Sequence, residues 1–570
     1  MTNWLKAGAA ASLFALVAAC SGGQTEKAPA APAAGESGPA ATVPEGETAI
    51  TAEGLRRHIA MLASDEFEGR APGTPGGEKT RDYIAGEYKR LGLKPINGSY
   101  FQDVPLVEAT LDPQTSYLRF NSPSGEADLE YRKDVVYWTK RVEENVSFDD
   151  SDVVFVGYGV VAPEYQWDDY AGLDVKGKTV IILVNDPGFA TEDPELFKGR
   201  SMTYYGRWTY KYEEAARQGA AAALIIHDEA PAAYGWGVVE GSWSGPQLDL
   251  QRADGGASRV AAEGWLSNSA ARALLASGGL DLDTLMAAAK TRGFKAVPLP
   301  GVTASAKLES AIRLSVDANV VGVLEGSEKP EEYALYMGHW DHLGAEQTED
   351  GKDGIYNGAV DNATGIAAIL EIAEQFATNA ERPKRSILFA AVTGEESGLL
   401  GSAYMAESPP VPLKDIVGGI NIDALLPTPK TKDMIVVGSG ASELEDILKE
   451  KAAAHGRYLR PDAEPEKGYF YRSDHISLAK KGVPMLYADQ GIDLVDGGEE
   501  AGKALAEDYT VHRYHSPADE LDDSWNFDGM IDTVDILYET GAELAYSDKW
   551  PNWYEGNEFR ALRDAQRAGE

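Results

Sequence analysis

Five short polar clusters in the second half of the chain carry side chains able to do chemistry. They are His339-Trp340-Asp341-His342, Asp361-Asn362-Ala363-Thr364-Gly365, Glu395-Glu396, Asn421-Ile422-Asp423 and Tyr514-His515-Ser516-Pro517-Ala518-Asp519. Imidazoles mixed with carboxylates suit zinc, with cobalt or manganese as alternatives. Two such ions about 3.5–4 Å apart can hold a water, lower its pKa and polarise a carbonyl. The adjacent pair Glu395-Glu396 is informative because neighbouring side chains in an extended loop point in different directions. One can bind metal while the other faces the water that the metal activates. Each cluster also has an ordinary reading. Asp361 can cap a helix, Asp423 can sit in a turn, His339 can be a satisfied core histidine, and a Glu pair suits a helix start. Singly those readings are the commoner ones; five clusters converging on one place is what argues for chemistry.

The elements that carry them place them together. Apolar runs predict strands at Val320–Leu324, Tyr333–Met337, Ile387–Val392, Ile416–Ile422 and Pro484–Tyr487. Ile366, Ile369, Leu370, Ala373, Phe376 and Ala377 form one stripe of a helix from Thr364 to Ala377, and a last helix spans Phe527 to Tyr546. Strands alternating with helices predict an α/β fold with a mostly parallel sheet flanked by helices. Ligands of such sheets bind outside the carboxyl ends of the strands. The clusters fall at that edge or in loops that can reach it.

Taken in this order, the motifs resemble the co-catalytic two-zinc peptidases, the family of bacterial leucyl aminopeptidase, aminopeptidase Y and glutamate carboxypeptidase II. The opening stretch Leu62 to Arg70 is similar to the start of that family, and Gly157-Tyr158-Gly159 with Asp169 to Leu173 resembles a protease-associated insert. The resemblance implies that His339 and Asp423 bind one zinc, Glu396 and His515 the other, and Asp361 both. It implies Asp341 as the acid that orients the His339 ring, Glu395 as general base, and Tyr514 as a donor to the tetrahedral oxyanion. Arg472, in Arg472-Ser473-Asp474-His475, is expected to touch substrate, and His475 to be structural. Three carboxylate ligands and one hydroxide would balance the four positive charges of two ions. The reaction implied is peptide hydrolysis at a chain end without a covalent enzyme intermediate, on peptide substrates.

Composition bounds the rest. At 570 residues the chain exceeds one ordinary core. Residues 49–130 and 309–548 are expected to form the catalytic domain around a mainly β insert at 131–308, with a tail at 549–570. A formal charge of −39 argues against a nucleic-acid partner, because phosphate binding needs a basic surface. Residues 1–19 read as a signal peptide, with Lys6 ahead of an apolar stretch too short to span a bilayer. Val17-Ala18-Ala19-Cys20 resembles a lipoprotein cleavage box, which implies lipidation of Cys20. Residues 20–48, rich in Ala, Pro, Gly and Glu, read as a tether. The chain is thus expected at a bacterial cell envelope, anchored by lipid and facing the periplasm or exterior. Acids beside the metals would favour a substrate α-ammonium, hence an aminopeptidase. The alternatives are a glutamate carboxypeptidase-like enzyme and, less favoured by the full ligand set, a glutaminyl cyclase or a receptor-like homologue without activity.

Overall fold

The computed structural model describes residues 50–127, 129–346 and 353–569. The expected signal peptide, Cys20 and the tether lie outside these residues. Among the described residues no helix is long and apolar enough to cross a membrane.

The sheet of the catalytic half is built on strands that are apolar on both faces. Arg385–Val392 is buried at every position. Alternate side chains serve different layers: Ile387, Phe389 and Ala391 join one core, and Leu388, Ala390 and Val392 the other. Such a strand needs cover on both sides. Helices Ala52–Leu62, Pro75–Arg90, Gly365–Thr378, Leu444–Ala454 and Asp528–Tyr546 supply residues to the first core, with Leu55, Tyr88, Ile369, Leu448 and Leu537 fully buried. Met405, Ile476, Trp553 and Phe559 contribute to the second. Tyr336 shows how close the fit is. Its ring stacks on Phe389 at 5.7 Å, and its hydroxyl donates to the carbonyls of Leu537 and Tyr538 at 3.0 and 3.1 Å. Gly541 faces that hydroxyl so closely that a Cβ would collide with it.

Strand Lys329–His339 pairs in parallel with Arg385–Val392 on one side and with Ile416–Asn421 on the other. Ile416–Asn421 pairs in parallel with Met485–Gln490. Antiparallel pairing begins at the next strand, Asp433–Val436, and, on the opposite side, where Arg385–Val392 meets Val320–Leu324. The chain leaves Lys329–His339 to one side and later returns on the other. The carboxyl end of that strand is therefore a topological switch point, where a crevice opens. His339 is its last residue.

The inserted half is α/β, which corrects the expectation of a mainly β insert. Asn145–Phe155, Thr179–Leu183, Ala222–Ile226 and Ala262–Leu266 run parallel, with Val135–Trp138 antiparallel at the edge. The three short central runs are wholly buried, so they need helical cover. Trp208–Arg217, Asn268–Ser277 and Leu282–Ala289 provide it. Ser267 and Asp281 cap the last two by accepting from the amides of Ala270 and Thr284. Leu118 and Phe120, which lie ahead of position 131, already belong to the insert's core. One 28-residue strand, Val297–Leu324, runs through position 308 unbroken. Its first part pairs with Asn145–Phe155 and Tyr117–Ser122, its second with Phe101–Leu111 and Arg385–Val392. The segment expected as a tail is packed. Trp553 is fully buried and donates to Gly482 O at 3.0 Å, and the buried Arg563 of helix Arg560–Ala568 donates to Ile416 O at 2.6 Å.

His455 ties two helices at the back of the sheet. It follows Leu444–Ala454 and sits 3.4 Å from Asp532 Oδ1 and 3.1 Å from Glu539 Oε1 of Asp528–Tyr546. Those hydrogen bonds raise its pKa to about 9. A folded pKa above the unfolded value of roughly 6.5 means stability that is complete below that value and lost as pH rises through about 9. His455→Gln is expected to cost on the order of 1–2 kcal/mol at pH 6, after allowance for solvent screening. The loss, read as a Tm difference from the unaltered chain, should vanish by pH 10; an equal difference at both values would refute it.

Candidate metal centre

Each site residue is delivered by the end of a strand or by a loop braced against one. His339 ends its strand, and Asp423 lies two residues beyond Ile416–Asn421. Glu395 and Glu396 follow Arg385–Val392 after Gly394, whose φ of 65° makes the turn that glycine favours. Asp361 sits in an irregular turn ahead of helix Gly365–Thr378, and the Asp361–Asn362 bond is cis. Asn362 knits these pieces together. Its side-chain amide donates to Ile422 O at 3.1 Å, and its oxygen accepts from Gly365 and Ala424 N–H at 3.0 Å each.

The result is two triads that share one carboxylate. His339 Nε2 is 3.3 Å from Asp361 Oδ1 and 3.1 Å from Asp423 Oδ1. His515 Nε2 is 3.2 Å from Asp361 Oδ2 and 3.1 Å from Glu396 Oε2. All five expected ligands are thus together, and the two oxygens of Asp361 face different histidines. Ligand atoms around a tetrahedral zinc with bonds of about 2.0–2.1 Å lie ~3.3 Å apart. The observed spacings match that figure, and the donor set is one zinc accepts. The charge argues the same way. Asp341, Asp361, Glu395, Glu396, Asp423 and Asp474 crowd one largely buried region, an arrangement that is costly unless cations offset it.

Electrostatics differ sharply between neighbours. Burial opposes the ionised form of Asp361, but hydrogen bonds from His339 and His515 outweigh it and hold the carboxyl well below the usual range. Burial acts on Glu396 too, yet bonds from His342 and His515 bring it down to about 2. With protein charges alone, burial pushes Glu395 well above the usual range; His339 opposes this, and Glu396 and Asp423 add to it. Asp341 is pushed up to about 8 by burial. The pair Glu395 and Glu396 therefore splits into one carboxyl with high proton affinity and one with low.

The structure refines several expected roles. His339 Nδ1 is 3.1 Å from the backbone oxygen of Asp341 but 3.8 Å from its carboxylate. The main chain, not the acid, holds that ring; the carboxylate instead accepts from Glu395 N–H at 3.1 Å. Tyr514 stacks on the His515 ring with centroids 3.9 Å apart and is half exposed. Arg472 is exposed, its guanidinium 5.2 Å from the Tyr469 ring centroid. His475 is buried between Phe470 and Tyr487 at 4.7 and 5.2 Å, and burial lowers its pKa to about 3. Two contacts went unforeseen. His342 Nδ1 lies 2.6 Å from Glu396 Oε1, and His342, Asp361 and Glu396 form a metal-competent group of their own. Ser473 donates to Asp423 Oδ2 at 2.6 Å. The His-x-x-His spacing of 339 and 342 was the available signal for the first; nothing local marked the second.

Fold and site together define a buried imidazole–carboxylate centre able to hold metal at a sheet switch point. Residues 319–538 match the family model described as Peptidase family M28. A probable zinc metalloprotease of Pyricularia oryzae is 34% identical over 140 residues, which is 24% of this chain and 26% of that protein. A probable zinc metalloprotease of Pyrenophora teres f. teres is 39% identical over 104 residues, 18% and 22% of the two chains. Aminopeptidase NAALADL1 of Mus musculus is 31% identical over 128 residues, 22% of this chain and 16% of that protein. The chain therefore spans about a quarter or less of the length of these relatives. Among solved structures, the aminopeptidase from Aneurinibacillus sp. strain AM-1 aligns over 87% of this chain and 94% of its own, at 19% identity and a TM-score of 0.48.

Proposed function

We propose that the chain is a zinc-dependent exopeptidase that removes residues from the amino end of peptides, with two zinc ions per chain. The observation that carries this is Asp361, whose Oδ1 and Oδ2 lie 3.3 and 3.2 Å from His339 and His515 respectively. In this reading His339 and Asp423 hold one ion, His515 and Glu396 the other, and Asp361 both. His342 lies 2.6 Å from Glu396 Oε1, and Oε2, 3.1 Å from His515 Nε2, would serve as the ligand. When bound, the zinc pair supplies Lewis acidity for the scissile carbonyl and for water. Glu395 takes the water proton on its carboxylate and passes it to the leaving amine. Tyr514, whose ring stacks on His515, donates its hydroxyl to the developing oxyanion in this reading. The surplus of acids at the mouth suits an α-ammonium. We read the insert as a protease-associated module beside the cleft, and the chain as held at the envelope by lipidated Cys20.

A carboxypeptidase is the second reading. It is favoured by Arg207 of the insert, which lies near enough to Arg472 for its pKa to be lowered to about 10 by burial and by that second cation. No carboxylate among the described residues pairs with either in a salt bridge. One set of assays separates the two. The zinc-loaded chain should hold about two zinc per chain, hydrolyse amino-acid p-nitroanilides, and lose activity with a chelator. Acetylating the substrate's amino end should abolish turnover. Turnover of an acetylated peptide that stops when its carboxyl end is amidated would replace the first reading by the second.

A further inference from the structure

Arg70 lies outside every cluster that carries the proposed chemistry, yet it is fully buried and touches the backbone of two of them. Among the described residues its guanidinium forms no salt bridge, and its hydrogen bonds go to carbonyls. Nε donates to Trp340 O at 2.9 Å, between the strand-end residues His339 and His342. Nη1 donates to Leu62 O at 2.9 Å and Asn357 O at 2.5 Å; Nη2 donates to Gly358 O at 2.9 Å and Asp361 O at 3.4 Å. The carbonyl of Arg70 in turn accepts from His342 N–H at 3.3 Å. One side chain thus spans the strand that ends in His339 and the loop that carries Asp361.

Asp519 completes the grip from the other side. Its carboxylate accepts from Val360 N–H at 3.0 Å and from Asp361 N–H at 3.1 Å, and its carbonyl accepts from Ala359 N–H at 3.0 Å. The loop 357–361 therefore gives its carbonyls to a cation and its amides to an anion, both buried. The backbone bearing Arg70 is shaped for the task. Glu68, Gly69 and Arg70 are all left-handed, with φ of 51°, 66° and 54°. At Gly69 a Cβ would collide with the carbonyls of Gly344 and Tyr356, on the strands that pack against this turn. Such strain persists only where the surroundings over-determine it.

We propose that Arg70 is a positioning residue for the metal centre: with Asp519 it fixes the shared carboxylate of Asp361 against the strand-end histidines. The fork of five N–H donors explains the residue type, since an ammonium offers three donors from one point and cannot reach carbonyls on both elements. The inference rests on the two-zinc reading above. Partners that orient metal ligands commonly contribute 10–100-fold to metal affinity or activity.

The test is Arg70→Lys in the full chain, assayed by zinc competition with a chromogenic chelator and by the absorption spectrum of the cobalt-loaded protein. The expected result is zinc affinity weakened about 10–100-fold for at least one ion, an altered cobalt spectrum, and a fall in kcat with KM little changed. Free guanidinium should restore part of the affinity to Arg70→Ala. Affinity within about twofold of the unaltered chain, with an unchanged cobalt spectrum, overturns the proposal. If neither variant folds, hydrogen exchange of the unaltered chain decides: by reciprocity zinc should slow exchange in 65–72, and no slowing there overturns it. If the unaltered chain itself binds no zinc, the two-zinc reading has failed instead.

Discussion

Glu395→Gln is expected to keep about two zinc ions per chain while kcat falls by about 10²–10⁴-fold, the usual contribution of a positioned proton acceptor. The substitution keeps size and shape. It also keeps the backbone in place, because Glu395 N–H donates to the Asp341 carboxylate and not to its own side chain. What it removes is the ability to take a proton from water and return it to the amine. Glu395 is not one of the four residues whose atoms surround the Asp361 oxygens, so zinc content measured by mass spectrometry should be unchanged. Turnover retained within a few-fold would remove Glu395 as the base. Loss of zinc together with activity would make it a ligand.

Asp361→Asn has the larger effect on the metals. The amide keeps one oxygen, which can serve one ion, and replaces the other oxygen with an NH2 group that points its hydrogens at the second. Zinc should fall from about two to one or fewer per chain, and activity by at least about 100-fold, the upper end of what losing even an outer partner costs. The carboxyl is held well below its usual range by His339 and His515 after opposing burial, so its negative charge is what both histidines answer. Full occupancy by two ions in this variant would show that Asp361 does not bridge.

The sheet edge was legible because strands and ligands obey simple periodicities. Ile387–Val392 is an apolar run bounded by a turn, and the observed strand is Arg385–Val392. Once the strands were placed, His339, Glu396 and Asp423 had to lie at one end. Asp361 and His515 came from the resemblance, since neither an irregular turn nor a long loop announces where its side chain will point. Arg70 ends the Leu62 to Arg70 stretch that resembles the family's start, but its role could not be read for a different reason. Its partners are main-chain carbonyls, which every residue has, so no side-chain pattern marks them. The insert was misjudged because short buried strands and alanine-rich helices such as Asn268–Ser277 look alike in apolar content. The part Asp341 plays toward the His339 ring is not legible either, since its main-chain oxygen lies nearer the ring than its carboxylate does.

The unbroken strand from Val297 to Leu324 constrains any attempt to dissect the chain. It is a single girder on which both halves hang their sheets, so there is no hinge at position 308 where one could be lifted off the other. A cut there would sever the first part of the strand, paired with Asn145–Phe155, from the part paired with Phe101–Leu111 and Arg385–Val392, and would end the shared support between the two. Excision of the insert is better planned as a short turn joining Leu111 to Ser310, residues already paired side by side.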